Sequence, residues 1–411
     1  MPRSATGALW RHRDFLLLWG GETTSQVGTR IGQLAAPLLA VTALGATPWQ
    51  MGLLTAAQTA GFLLIGLPAG VVIDRVRRVP VLVAADLVRF ALLVTVPIAW
   101  WYEVLGFGHL LLVTFLAGLA TVFFDVAYQS VLPSLVGREH LVEGNGKLES
   151  TRAAAEAGGP ALGGGLVQLV GGAIAIAAQA AGHLVSAIAI SRIRTTEPAP
   201  ARTGTTVRAE IVEGLRFVVG HRLLRPIVLC TASSNLAGGI LLAVLVLFLV
   251  DDLGLPEVGV GAAVAAVGVG GLAGALTAGA WTRRLGQART IVVSLLVTTP
   301  FVLLIPLGGP GPLILLTAVG LFADGYGGVV YNVAQVSFRQ AICPDRLLGR
   351  MNAGVRFLVW GTIPVGGLIG GGLGELLGPR GALLVACCAQ LLSLLPLLLS
   401  PLRRLRDLPG Q

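Results

Sequence analysis

Apolar residues along this chain come in runs of about 20, each closed by a short turn that is either basic or almost free of charge. A helix rises 1.5 Å per residue, so a run of that length crosses the roughly 30 Å of hydrocarbon in a bilayer. Twelve such runs are predicted as helical spans, at 15–43, 49–73, 79–101, 109–132, 146–170, 172–191, 226–250, 256–281, 289–308, 312–337, 350–376 and 381–400. One long polar stretch interrupts them near the midpoint. It divides the chain into an N-terminal six-helix bundle (1–191), a linker (192–225) and a C-terminal six-helix bundle (226–411). Within the linker, 195–206 carries Pro198, Pro200 and Gly204 and reads as flexible. Residues 207–224 set Ile211, Leu215, Val218 and Val219 at helical spacing among Arg208, Glu210, Glu213 and Arg216, the pattern of a helix lying on the inner leaflet.

The two halves repeat one another. A shift of 207 positions lays Val122 to Ala127 over Val329 to Ala334, Ser130 over Ser337, Leu141 over Leu348 and Asn145 over Asn352. A shift of 209 brings Gly70 and the basic turn Arg75 to Arg78 onto Gly279 and the turn Arg283 to Gly286. Repeats in the same order of elements are related by an axis along the membrane normal.

Composition sharpens the class. Hydrophobic residues are 55% of the chain and charged residues 12%, which excludes a water-soluble globular protein and leaves an all-α polytopic membrane protein. The net charge of +9 sits in short turns rather than on one soluble face, so anionic lipid headgroups, not nucleic acid, are the expected partner. Arginine or lysine falls in the N-terminal segment, the even-numbered connections and the C-terminal tail, whereas Arg380 is the lone base in the odd-numbered connections. By the positive-inside rule both termini are cytoplasmic. Cys230, Cys343, Cys387 and Cys388 have no metal-ligand spacing and read as free, packed thiols. His183 and His109 stand alone in apolar runs, and with no Ser/His/Asp grouping or phosphate-binding loop, neither enzyme chemistry nor a cofactor or metal is implied.

Charges inside spans are costly and point to function. Glu22, Gln26 and Arg30 recur every four residues in the first span, with Gln33 near the same stripe, so one face is polar. Folding the hairpin of spans four and five about Arg138 sets Asp125 opposite Arg152, while Glu149, Arg152 and Glu156 share a helix face. Arg152 thus has two possible partners, Asp125 across the hairpin or Glu156 on its own helix. The matching hairpin in the other half offers Asn332 and Arg356 as substrate-cavity candidates beside Gln26 and Arg30. Glu22, Asp125 and Glu156 are candidate proton-coupling carboxylates, with Arg152 as their counter-charge and Asp324 as a further carboxylate. Asp86 and Arg89, one turn apart, read as a structural pair near the inner leaflet.

Gly70-Val71-Val72-Ile73-Asp74-Arg75-Val76-Arg77-Arg78 closes the second span. It resembles the signature of the major facilitator superfamily, with Arg77 where the family often has glycine. Leu132-Pro133-Ser134-Leu135-Val136 with Asn145, Tyr331 to Ser337, and Pro344 to Arg350 are similar to its exporter branch, which contains enterobactin and macrolide efflux proteins. Gly159-Pro160-Ala161-Leu162-Gly163-Gly164 in the fifth span resembles the core of that superfamily's antiporter motif. The resemblance implies the twelve-helix major facilitator fold with two pseudo-symmetric bundles. It also implies a cytoplasmic latch in which Asp74, with Gly70, Arg75 and Arg78, faces the start of the eleventh span at Arg350. The implied function is export of a hydrophobic or amphipathic small molecule, such as a drug, a macrolide-like product or a siderophore, in exchange for protons. A monomer in the inner (plasma) membrane is expected. Uptake of a small nutrient, or a sensor that keeps the fold without transporting, are the competing readings. The usual arginine of proton antiporters is missing from the fourth span, so Arg30 or Arg152 would have to take its place.

Overall fold

The structure, a computed structural model, describes residues 8–136, 140–194, 213, 216–344 and 347–407, and every regular element among them is helical. An apolar solvent offers the backbone no partners, and a helix meets that constraint by satisfying its N–H and C=O groups within its own segment. In the N-terminal half the helices are α1 (Arg13–Thr42), α2 (Pro48–Asp74), α3 (Arg78–Leu93), α4 (Thr95–Trp101), α5 (Phe107–Val136), α6 (Leu141–Val170) and α7 (Gly172–Ser191). The C-terminal half contains α8 (Leu224–Leu247), α9 (Glu257–Leu285), α10 (Gln287–Thr298), α11 (Leu304–Leu307), α12 (Ile314–Ile342), α13 (Leu348–Trp360), α14 (Thr362–Leu392) and α15 (Leu395–Leu398).

Each of the twelve expected spans falls on helix. The third runs through α3 and α4, and the ninth through α10, a short 3-10 turn (Thr299–Leu303) and α11. α14 holds the end of the eleventh span and the start of the twelfth. They part at Gly378, whose φ of 72° is a left-handed conformation that a Cβ would disfavour, followed by Pro379, which has no N–H to continue the ladder. Among the described residues, eight helical stretches are long and apolar enough to cross a membrane. α1 is not among them, diluted by Glu22, Gln26, Arg30 and Gln33, nor is α6, which carries Glu149, Arg152 and Glu156 in its first half and a glycine-rich second half. This is a multi-pass membrane protein.

The start of α1 shows how local chemistry sets a boundary. His12 has extended backbone, and its Nδ1 accepts the N–H of Phe15 at 3.1 Å, satisfying one of the four donors a helix start leaves open. Of the linker, 195–212, 214 and 215 lie outside the described residues, and 216–220 is helical.

The chain groups into two units, Met1–Leu44 with Ala60–Gly204, and Gly45–Thr59 with Thr205–Gln411. In the first, Phe15, Leu18, Ile73, Leu82, Phe124 and Val131 form a buried core. α1 lies against α7 and α6 through small residues. A Cβ on Gly182 would come 2.7 Å from Thr24 O, and one on Gly163 would come 3.1 Å from Ile31 O. In the second unit α8 lies on α14 through Gly239, Gly366 and Gly370, and α9 on α12 through Gly270, Gly274 and Gly325. Lipid tails are as apolar as leucine, so adhesion between such helices rests on close van der Waals approach, which glycine permits.

The same device draws the start of α2 into the second unit. A Cβ on Gly52 would lie 2.6 Å from Gly367 O and 2.7 Å from Gly371 Cα, and Glu375 Oε1 accepts the N–H of Trp49 at 3.1 Å. The contacts therefore divide the chain at Thr59 as well as in the linker, where the hydropathy pattern alone places the boundary.

Adjacent glycines on α8 offer a controlled test of this packing. A Cβ on Gly239 would run into Ile363 O, whereas Gly238 has nothing within 4 Å. Gly239→Leu is expected to lower stability by about 1–3 kcal/mol through overpacking. Gly238→Leu, with the same gain in helix propensity, should not. Thermal unfolding of the two purified variants checks the difference.

Candidate functional site

The polar stripe of α1 meets α6. Glu22 is buried (5% exposed); its Oε1 accepts from Gln26 Nε2 at 2.7 Å, and its Oε2 is enclosed without a hydrogen-bond partner. Two turns further on, Arg30 donates from Nη1 to Gln33 Oε1 at 3.1 Å and brings Nη2 to 3.7 Å from Glu156 Oε2 on α6. Glu156 also accepts from Arg152 Nη1 at 3.4 Å, and Arg152 Nε donates to Glu149 Oε2 at 3.0 Å. Of the two partners open to Arg152, the glutamates of its own helix hold it, since side chains three and four residues apart lie one above another. Four charges thus alternate in sign between α1 and α6.

The segment resembling the antiporter motif brings these helices together. A Cβ on Gly159 would overlap Arg30 Cβ, and Gly163 abuts the backbone of Ile31, so Gly159 and Gly163 seat α6 against the charged turn of α1. Pro160 stands inside α6 between them. Gly164 follows in the same helix.

A second cluster in this unit was legible only in part: Asp86 and Arg89 pair one turn apart as expected, and His183 joins them. Asp86, Arg89 and His183 are 0%, 3% and 1% exposed. Asp86 Oδ1 takes Arg89 Nη2 at 2.5 Å and His183 Nδ1 at 3.2 Å, and Ser25 Oγ lies 3.1 Å from the same ring nitrogen. The Arg89 guanidinium stacks 4.2 Å from the centre of the Phe124 ring. His183 was expected to stand alone in an apolar run, and the structure corrects this. It sits 97 residues from Asp86, a separation no helical period reports, and only the packing of α3 and α7 joins them.

In the other unit, Asn332 accepts from Gln335 Nε2 at 2.8 Å and lines a cavity of about 200 Å³ with Asn235, Thr298, Asp324, Tyr331 and Gln390 among its walls. Arg356 stands exposed on α13 and is not among the described residues of that wall. α2 ends at Asp74 and α3 begins at Arg78, which bound the turn expected to carry the latch, and Arg75 is exposed. The side chains of Asp74 and Arg350, and the surroundings of Gly70, lie outside the described residues. Asp125 sits in α5 and is half-buried.

Helices this long and apolar define a multi-pass membrane protein, and its likeness to known proteins makes it a transporter of the major facilitator type. Over residues 4–408 the chain matches the family described as transmembrane secretion effector, and it belongs to that family. It is 28% identical over 381 residues to the enterobactin exporter EntS of Shigella boydii serotype 18, covering 88% of this chain and 86% of the relative. The EntS protein of Escherichia coli O139:H28 is similar to the same degree. Among solved structures, a mutant of the nucleoside transporter NupG superposes with a TM-score of 0.77 at 11% identity, covering 94% of this chain and 98% of the other. A bacterial homologue of the iron transporter ferroportin, in an inward-facing state, superposes with a TM-score of 0.75 at 18% identity and the same coverage. At these identities the two structures show a shared fold.

The Asp86 cluster makes a sharp prediction. Removing one partner of a buried ion pair leaves the other uncompensated, at a cost of about 3–5 kcal/mol. Asp86→Ala is expected to lose most of that, and a double change of Asp86 and Arg89 to leucine to lose less than Asp86→Ala alone. Denaturation midpoints of the purified variants provide the comparison.

Proposed function

We propose that this protein exports a hydrophobic or amphipathic small molecule by alternating access, driven by an inward flow of protons. The observation that carries the reading is Glu22. A carboxylate at 5% exposure, with one oxygen held by Gln26 and the other enclosed without a partner, is poised to take up and release a proton. Direction and substrate class rest on the relatives, which are exporters of enterobactin. The alternating charges Arg30, Glu156, Arg152 and Glu149 at the α1–α6 contact supply fixed positive groups in a half whose fourth span lacks an arginine. Basic turns at the even-numbered connections support cytoplasmic termini in an inner membrane. The latch through Asp74 and Arg350, the bundle boundaries at 191 and 226, the Asn332 and Arg356 cavity positions and a monomeric state belong to the same reading. So do Asp125 as an alternative coupling carboxylate, and drugs, macrolide-like products and siderophores as the substrates to try first.

The test is accumulation of a panel of lipophilic antibiotics, dyes and siderophores in an efflux-deficient bacterium. Cells with the protein should retain several-fold less of at least one compound, and a protonophore should abolish the difference. Glu22→Gln, which fixes the neutral form, is expected to abolish accumulation against a gradient while keeping downhill exchange. Unchanged uphill export by Glu22→Gln would remove Glu22 from the coupling step, and the same test on Asp125→Asn would follow.

A further inference from the structure

The cavity of the C-terminal unit is polar, and Asp324 is the one carboxylate among its described lining residues. Asp324 projects from α12 about 15 Å along the helix from Ile314. Among the described residues its carboxylate makes no hydrogen bond or ion pair, and no lysine or arginine lines the cavity. Several oxygens around it are open to a ligand. Asn235 gives one N–H of its amide Nδ2 to the backbone carbonyl of Val359 at 2.9 Å, which fixes the orientation of the amide and leaves Oδ1 open as an acceptor. The Thr298 hydroxyl donates to Ser294 O at 2.9 Å, and the Thr231 hydroxyl to Ile227 O at 2.8 Å, leaving lone pairs on both. Gln390 Nε2 bonds Ser234 Oγ at 2.7 Å, and Gln390 Oε1 is enclosed without a partner.

The one charged group on this wall is a carboxylate, with Asn235 Oδ1 and Gln390 Oε1 beside it, so the wall disfavours anions, while Asn332 Nδ2 and the Ser234 hydroxyl remain as neutral donors. Oxygen donors of this kind suit a hard cation or an ammonium group. One carboxylate matches a single positive charge, whereas a divalent ion would stay half-neutralised in an apolar bundle. At about 200 Å³ the space exceeds a bare ion and takes an ion with a few waters, each about 30 Å³ in the liquid, or a short organic ammonium.

We propose that this cavity is a binding site for a monovalent cation, a free alkali-metal ion or the ammonium group of a small organic molecule, held by the Asp324 carboxylate with Asn235, Thr298 and Gln390 oxygens. The site lies wholly within one unit and stands whether or not the proposed export is correct.

Dicyclohexylcarbodiimide reacts covalently with protonated carboxyl groups in apolar surroundings, and a bound cation blocks it. The purified full-length protein is treated with the reagent in NaCl, in methylammonium chloride, or in tetrabutylammonium chloride of equal ionic strength, whose cation is too bulky for the cavity. Peptide mass spectrometry then compares Asp324 with Glu22. At least fivefold protection of Asp324 and none of Glu22 is expected. Protection by NaCl identifies an alkali ion, and protection by methylammonium alone an ammonium group. Equal labelling in all three salts overturns the proposal. Calorimetric titration with the same two cations gives an independent reading, in which wild type should show saturable heat and Asp324→Asn none. Absence of saturable heat in wild type, or its persistence in the variant, overturns the proposal even where the reagent fails to reach Asp324.

Discussion

An apolar solvent removes the usual reason for helices to associate, and the rest of this structure follows from how the chain replaces it. With lipid on one side and leucine on the other, burial of apolar surface contributes little, so contact distance decides which helices adhere. Glycine supplies that distance at several of the seams. Gly239, Gly366 and Gly370 bring α8 onto α14, Gly270 and Gly325 bring α9 onto α12, and Gly182 and Gly28 bring α7 onto α1. The same residues that read in sequence as low-complexity filler are the places where backbone touches backbone.

Close packing then dictates how charge is treated. A charge inside such a bundle must find its partner within the bundle or face water. The N-terminal unit does both: Asp86 is shared by Arg89 and His183 in its interior, while Glu156, Arg152 and Glu149 are exposed and alternate in sign with Arg30. The C-terminal unit differs. Asp324 has a cavity of polar oxygens around it and no described counter-charge. Two halves that descend from one repeat, as the 207-residue register suggests, have thus diverged in their electrostatics while keeping their helices. Such divergence suits a machine whose halves share a scaffold but divide the chemistry.

Fold class, span positions and the exporter resemblance were legible in the sequence, because hydrophobic run length and turn charge are properties of consecutive residues. The intrahelical pairing of Arg152 was one of two alternatives on the page, since spacings of three and four residues put side chains in reach on any helix. His183 was misjudged for the converse reason: its partners Ser25 and Asp86 lie on two other helices, and no period along one chain segment encodes them. The same holds for Asp324, whose surroundings come from four separate spans.

Sequence by itself therefore determined that this chain is a helical membrane protein, where its spans lie, and which side chains carry charge into them, since each depends on local composition and a fixed rise per residue. Tertiary structure alone decided which charges meet, that the start of α2 packs with Gly367 and Gly371 rather than with its own half, and that Asp324 faces a cavity. Those outcomes depend on helix rotation and on which glycine faces which backbone, quantities set only when all the helices pack together.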